Sequence, residues 1–231
     1  MKNIKELLDS LNIKPNDLSY YEIATTHPSF NGEGNTQHHD YQRLEFMGDS
    51  IVGFVVADLI FEQYPKLQEG LMSKMKSFYI QTKSLANHAR RINLNEYIKL
   101  GKGERRHNSQ EKDKVLEDVF EAFVGALYKD QGILFAQEFL KNLFYEEICN
   151  FNIEQLTDYK TRLQEEIQSD SRENVRYEEV SRSGPPHKLE FVYAVYFKDV
   201  KLGTGTGFSI KEAEQNAAKD ALQKKAILKE E

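Results

Sequence analysis

The chain has 231 residues, 39% hydrophobic and 29% charged, which suits one large or two modest domains of ordinary water-soluble composition. A single cysteine, Cys149, excludes an internal disulfide framework and fits a reducing compartment, and no apolar run approaches the ~18 residues of a membrane span. The formal net charge of −6 argues mildly against a nucleic-acid partner, and neither half is basic: residues 157–231 carry 13 Lys+Arg and 14 Asp+Glu, residues 1–156 the remaining 18 and 23. Affinity for a phosphate backbone depends on local patches more than on totals, so composition leaves that question open.

In chain order, the opening MKNIKELLDSLNIK is too polar for the apolar core of a signal peptide, which leads to an expected cytoplasmic location. Its Ile4, Leu7, Leu8 and Leu11 predict a short amphipathic helix. Residues 24–40 are polar and turn-rich and read as a loop. His27, His38, His39 and Asp40 in it are possible metal ligands, although histidines in such loops are more often simply solvated.

Residues 43–60, RLEFMGDSIVGFVVADLI, predict a helix that is apolar nearly all round and therefore buried. Glu45 and Asp49 lie four apart on one of its faces, where Cβ atoms stand roughly 5–6 Å from each other. Buried carboxylates are costly unless paired, protonated or bound to metal. Gln42 extends the same face by one turn. Tyr64-Pro65 ends the pattern, and Glu69-Gly70 opens another helix through Ile80, with Glu69 placed to cap its N-terminus.

Residues 100–114 read as a charged loop, in which Lys102, Arg105 and Arg106 are either solvated or free to meet phosphates. Residues 115–128, VLEDVFEAFVGALY, predict a second helix with Asp118 and Glu121 three apart on one face. Ala122 and Gly125 share that face and would let another helix come close. If the two helices cross, four carboxylates converge; like charges so near cannot all ionise without counter-charge, which Mg²⁺ supplies through hard oxygen ligands. A di-iron site would want Glu-x-x-His, and neither helix has the His.

An amphipathic helix over residues 133–148 closes a first domain, residues 1–149, that is essentially all-α. Residues 150–156 read as a linker. In residues 157–231 the pattern changes: a helix over 158–170 with Asp158 as its N-cap, three strands over 175–181, 189–197 and 200–208, and an Ala-rich helix over 210–228. That is an α+β domain of order α-β-β-β-α.

Arg43-Leu44-Glu45-Phe46-Met47-Gly48-Asp49-Ser50 resembles the signature of the ribonuclease III family, and Asp118-Val119-Phe120-Glu121-Ala122 its second metal-ligand motif. The tail resembles a double-stranded RNA-binding domain, through Gly184-Pro185-Pro186-His187, Lys211 at the start of the last helix, and Gln164 and Glu165 on the first. The resemblance implies a Mg²⁺-dependent endoribonuclease, with Mn²⁺ as a substitute ion. Such an enzyme cuts double-stranded RNA as a homodimer in staggered fashion, leaves 5′-phosphate and 3′-hydroxyl ends, and processes precursor rRNA and mRNA. It makes Glu45, Asp49, Asp118 and Glu121 the metal ligands, with Asp49 and Glu121 also catalytic. Glu69 and Gln42 become accessory residues and Phe46 a dimer-interface residue, where residues alone would equally allow a core aromatic. Gln164, Glu165, His187 and Lys211 become RNA contacts.

The chain departs from the family pattern at Tyr41-Gln42, where the family has Asn-Glu, and at Ile210, where it often has Lys. The first departure keeps open an alternative, a non-catalytic RNA-binding protein whose nuclease site has decayed.

Overall fold

The computed structural model describes residues 2–32, 39–156, 158–168, 173–185 and 188–230, in two compact units, Met1–Leu156 and Thr157–Glu231. The first unit is helical: α1 (Ile4–Ser10), α2 (Ser19–Ala24), α3 (Gln42–Gln63), α4 (Glu69–Ile80), α5 (Thr82–Arg91), α6 (Lys102–Arg106), α7 (Asp113–Gln131) and α8 (Ile133–Cys149). The amphipathic start and the helix after Gln68 are as expected, while α2 and α5 carry no strong signal of their own. The charged stretch expected as a loop folds into α6 and a 3₁₀ turn at Ser109–Glu111.

The spine of this unit is α7. All residues from Val115 to Leu127 are buried, because α2, α3, α5 and α8 pack around it. Phe120 and Phe123 fill the centre with no exposed surface. The helix stops at Gly132, whose φ of +86° favours glycine and lets α8 turn back at once. Asp130 ties the same end to the start of the chain, accepting hydrogen bonds from the backbone N–H groups of Asn16 and Asp17 and the hydroxyl of Tyr21.

Where α3 crosses α7 the two backbones touch. A Cβ on Gly48 would stand 1.7 Å from the carbonyl oxygen of Glu121, and one on Gly125 would stand 2.2 Å from that of Leu44. These glycines serve by the absence of a side chain. The expectation that α3 is buried on nearly every side holds for Leu44, Ile51, Val52, Val55, Val56 and Ile60. It fails for Phe46, Phe54 and Phe61, which are 76%, 54% and 64% exposed. At about 100° per residue these three rings fall on one stripe, so α3 keeps an apolar face uncovered. Residues 150–156, read from sequence as a linker, include a 3₁₀ turn at Ile153–Leu156, and Phe151 packs its ring against Phe78 and Tyr79 at 5.1 and 5.6 Å.

The second unit runs α9 (Tyr159–Gln168), β1 (Arg176–Ser183), β2 (Glu190–Phe197), β3 (Val200–Gly207) and α10 (Ile210–Glu230), with the strands antiparallel in the order β1-β2-β3. Asp158 Oδ1 caps α9 by accepting from the Thr161 N–H at 3.1 Å. The core is small: Leu163, Val195, Ala217, Ala218 and Ala221. Alternate glycines of β3 face α10 so closely that a Cβ on Gly205 would lie 2.1 Å from the Ala217 nitrogen.

The crossing of α3 on α7 makes a direct prediction. Gly48→Ala and Gly125→Ala each force the helices apart at a backbone contact, so each loses about 3 kcal/mol or more, at the upper end for overpacking. Denaturant unfolding of both variants beside wild type measures it; a loss below about 1 kcal/mol for Gly48→Ala would show that the crossing relaxes freely.

Candidate metal centre

The crossing sets the carboxylates. Glu45 lies one turn before Gly48 on α3, and Glu121 one turn before Gly125 on α7, so both carboxylates flank the backbone contact. Glu45, Asp118 and Glu121 each present an oxygen within 4.8 Å of the others. Glu121 is 7% and Asp118 9% exposed. Asp49, the fourth carboxylate, is exposed and stands outside this group of three, although Glu121 feels its charge.

Three further side chains complete the surroundings. Tyr41, buried just before α3, donates its hydroxyl to Asp118 Oδ2 at 3.2 Å. It is one of the positions where the chain departs from the family pattern, and from there it orients the Asp118 carboxylate. Glu117, 9% exposed, adds a further acidic group. Lys114 lies over both, with Nζ 2.7 Å from Asp118 Oδ1 and 3.1 Å from Glu117 Oε2. Neither of these buried oxygens receives a well-directed hydrogen bond, and the ammonium meets both as an ion pair. The spacings of three and four before Glu117 and Asp118 were the available sequence signal for Lys114. Tyr41 had none, because its reach to Asp118 spans 77 residues of chain.

Electrostatics follow from crowding. Burial, and then the charges of Asp49, Glu117 and Glu45, push the Glu121 carboxyl from 4.5 up to about 8, against the pull of Lys114. Glu45 shifts the same way, through burial first and then Asp118. Tyr41 is held above its ordinary value by burial and by Asp118. Burial opposes the Lys114 ammonium, yet the carboxylates of Asp118 and Glu117 raise its pKa overall. Converging hard oxygens and excess negative charge fit a divalent cation such as Mg²⁺ or Mn²⁺.

Other expected residues lie elsewhere. His27 packs its ring edge on Tyr41 and bonds Ser29 through Nδ1, with its pKa lowered by burial, and neither it nor His39 joins the carboxylate group. His38 lies outside the described residues. Gln42 is exposed at the first residue of α3, and its backbone N–H donates to Asp40. Glu69 opens α4 and accepts from the Ser73 hydroxyl one turn on. Phe46 is exposed.

In the second unit, Gln164 uses its amide locally: Oε1 accepts from the Val175 N–H, and Nε2 donates to Asn174. Glu165 and Lys211 are exposed, the latter in the first turn of α10. His187 lies outside the described residues. Lys188, next in sequence, sits 5.6 Å from the Phe208 ring centre, close to the start of α10.

The raised Glu121 carboxyl predicts pH dependence in metal-free protein. Its folded pKa exceeds the unfolded value, so the stability it contributes is complete below about 4.5 and is lost as pH rises through about 8. Between pH 5 and 8.5 wild type in chelator should lose about 2 kcal/mol more than Glu121→Gln, as urea unfolding of both will read. Divalent-ion affinity should rise over the same interval, because the ligand must first give up its proton. Equal pH slopes for the two proteins would place the titration elsewhere.

Comparison with known proteins adds independent findings. Residues 17–148 match the family model described as Ribonuclease-III-like, and residues 159–225 match the double-stranded RNA binding motif. Over 226 residues the chain is 40% identical to Ribonuclease 3 of Streptococcus pyogenes serotype M3 (strain SSI-1), covering 96% of this chain and 97% of that protein. Ribonuclease 3 of serotype M5 (strain Manfredo) shows the same identity and coverage. Among solved structures, the nuclease domain of ribonuclease III from Campylobacter jejuni aligns with a TM-score of 0.59 at 31% identity, over 66% of this chain and 100% of that one. A second structure of that domain, described for structural flexibility in a region involved in dimer formation, aligns with a TM-score of 0.58 at 30% identity, over 64% and 100%. By two matched domains and a full-length relative, the chain belongs to the ribonuclease III family.

Proposed function

We propose that this endoribonuclease of the ribonuclease III family hydrolyses double-stranded RNA in a Mg²⁺-dependent reaction, with precursor rRNA and mRNA among its substrates. The observation that carries this reading is the meeting of Glu45, Asp118 and Glu121 within 4.8 Å across the α3–α7 crossing. Those three would hold the ion, with Asp49 beside Glu121 as a fourth acidic group. A divalent cation bound there would supply Lewis acidity to the scissile phosphate and the attacking water.

The chain's own groups do the rest. Tyr41 fixes the rotamer of Asp118 through its hydroxyl. Glu121 releases its proton before it can act as a ligand. Gln42, uncharged and exposed where the family carries Glu, contacts RNA or a water at the site edge and adds no charge to the cluster. Neither α3 nor α7 carries a His or Cys, and attack by water with the 3′-oxygen as the leaving group gives 5′-phosphate and 3′-hydroxyl ends.

Duplex capture falls to the second unit, where exposed Glu165 and Lys211 face solvent and Lys211 adds charge to the N-terminus of α10. His187 is an RNA contact in the same reading. The Gln164 amide must exchange its bonds to residues 174 and 175 to reach a 2′-hydroxyl. Two copies associate through the stripe of Phe46, Phe54 and Phe61, which gives one site per strand and a staggered cut.

The deciding experiment incubates end-labelled duplex RNA with the protein in Mg²⁺ or Ca²⁺ and reads the product ends on a gel. Mg²⁺ should give 5′-phosphate products, while Ca²⁺ permits binding with little cutting. Glu121→Gln should retain duplex binding and lose at least about a hundredfold in cleavage rate. Bound but uncut duplex with wild type in Mg²⁺ would favour the decayed-nuclease reading that Gln42 raises. For association, Phe46→Asp places a charge on the uncovered stripe and should convert a dimer into a monomer in sedimentation equilibrium. An unchanged dimer would move the interface off α3.

A further inference from the structure

The free protein already has a cation at its site, supplied by its own chain. Lys114 Nζ lies 2.7 Å from Asp118 Oδ1 and 3.1 Å from Glu117 Oε2. Asp118 belongs to the group of three converging ligands, and Glu117 does not. Both oxygens are buried on residues only 9% exposed, and neither receives a well-directed hydrogen bond. The Lys114 side chain, by contrast, is 67% exposed and can move without repacking the core.

We propose that Lys114 is a resident counter-cation that a divalent ion must displace from Asp118, and that Glu117 is the carboxylate that keeps the ammonium when it leaves. The pair thereby sets the metal affinity of the RNA-free protein. This rests on the metal-site reading above. An ammonium 2.7 Å from Asp118 Oδ1 and a divalent ion on the same carboxylate at about 2.1 Å repel each other, so the two compete for it. Glu117 sits one residue before Asp118, and its Oε2 faces the same ammonium, so a small rotation of the lysine stem moves the charge from one carboxylate to the other. A cluster of five acidic groups, Glu45, Asp49, Glu117, Asp118 and Glu121, thus never stands without partial compensation.

Lys114 acts here as a positioning residue, and its test reads metal binding in the absence of RNA. Mn²⁺ affinity is measured by isothermal titration on full-length wild type, Lys114→Met, Glu117→Gln and the double variant, with far-UV circular dichroism as the fold control. Lys114→Met should bind Mn²⁺ roughly tenfold more tightly, the change expected on removing one partly buried competing ion pair. Glu117→Gln should weaken binding, and by more when Lys114 is present than in the Lys114→Met background, because only then does a displaced ammonium need a second acceptor. If Lys114→Met fails to fold, Lys114→Gln serves in its place.

Unchanged or weaker Mn²⁺ affinity in Lys114→Met, with binding by wild type intact, would overturn the role of Lys114 alone. An equal effect of Glu117→Gln in both backgrounds would remove the role of Glu117 as acceptor. Absence of Mn²⁺ binding by wild type would remove the metal site itself, and this proposal with it.

Discussion

Everything in the first unit depends on two helices touching backbone to backbone. At Gly48 and Gly125 no atom stands between α3 and α7, and the carbonyls of Glu121 and Leu44 occupy the space where side chains would be. The carboxylates are coupled to that contact by sequence distance. Glu45 and Asp49 bracket Gly48, and Glu121 precedes Gly125 by one turn, so helix geometry converts a close crossing into a meeting of carboxylates. A crossing even a few ångströms wider would leave the same residues as separate, solvated acids.

That meeting comes at an electrostatic cost, and the neighbourhood shows how it is contained. Burial, and then the charges of Asp49, Glu117 and Glu45, push the Glu121 carboxyl up to about 8. Tyr41 satisfies one oxygen of Asp118, and Lys114 covers the other. What remains is a group of three carboxylates with oxygens within 4.8 Å of one another, an arrangement more favourable to a small divalent ion than to a hydrogen-bond network. The rest of α7 contributes apolar packing, which fixes these groups by fixing the helix that carries them.

Much of this was legible in the residues themselves. Two carboxylate pairs at helical spacing on apolar segments, with Ala122 and Gly125 on the second, pointed to a crossing and a shared site. Alternation in β2 and the alanines of α10 gave the second unit its element order. What the residues alone did not show has physical causes. The exposed stripe of Phe46, Phe54 and Phe61 could not be told from core, because an uncovered apolar face and a buried one have the same composition. Asp49 shares a face with Glu45, but four residues is a full turn, and one turn took it out to solvent. Tyr41 reaches Asp118 only through tertiary structure. Lys114 was visible by spacing, but it lay in a stretch that reads as loop until α7 is known to begin at Asp113.

The second unit is assembled from missing atoms. Gly203, Gly205 and Gly207 lie under Ala213, Ala217 and Ala221, so β3 and α10 are joined mostly by main chain, and little of the joint is side chain that could vary. Evolution is thereby given a frame with few editable parts and a surface with many. Exchanging exposed residues such as Glu165 or Lys211 alters that surface while leaving the joint untouched. A module built in this way can be retuned to new duplexes at almost no risk to its own folding, and the positions that must not change are those with the smallest side chains.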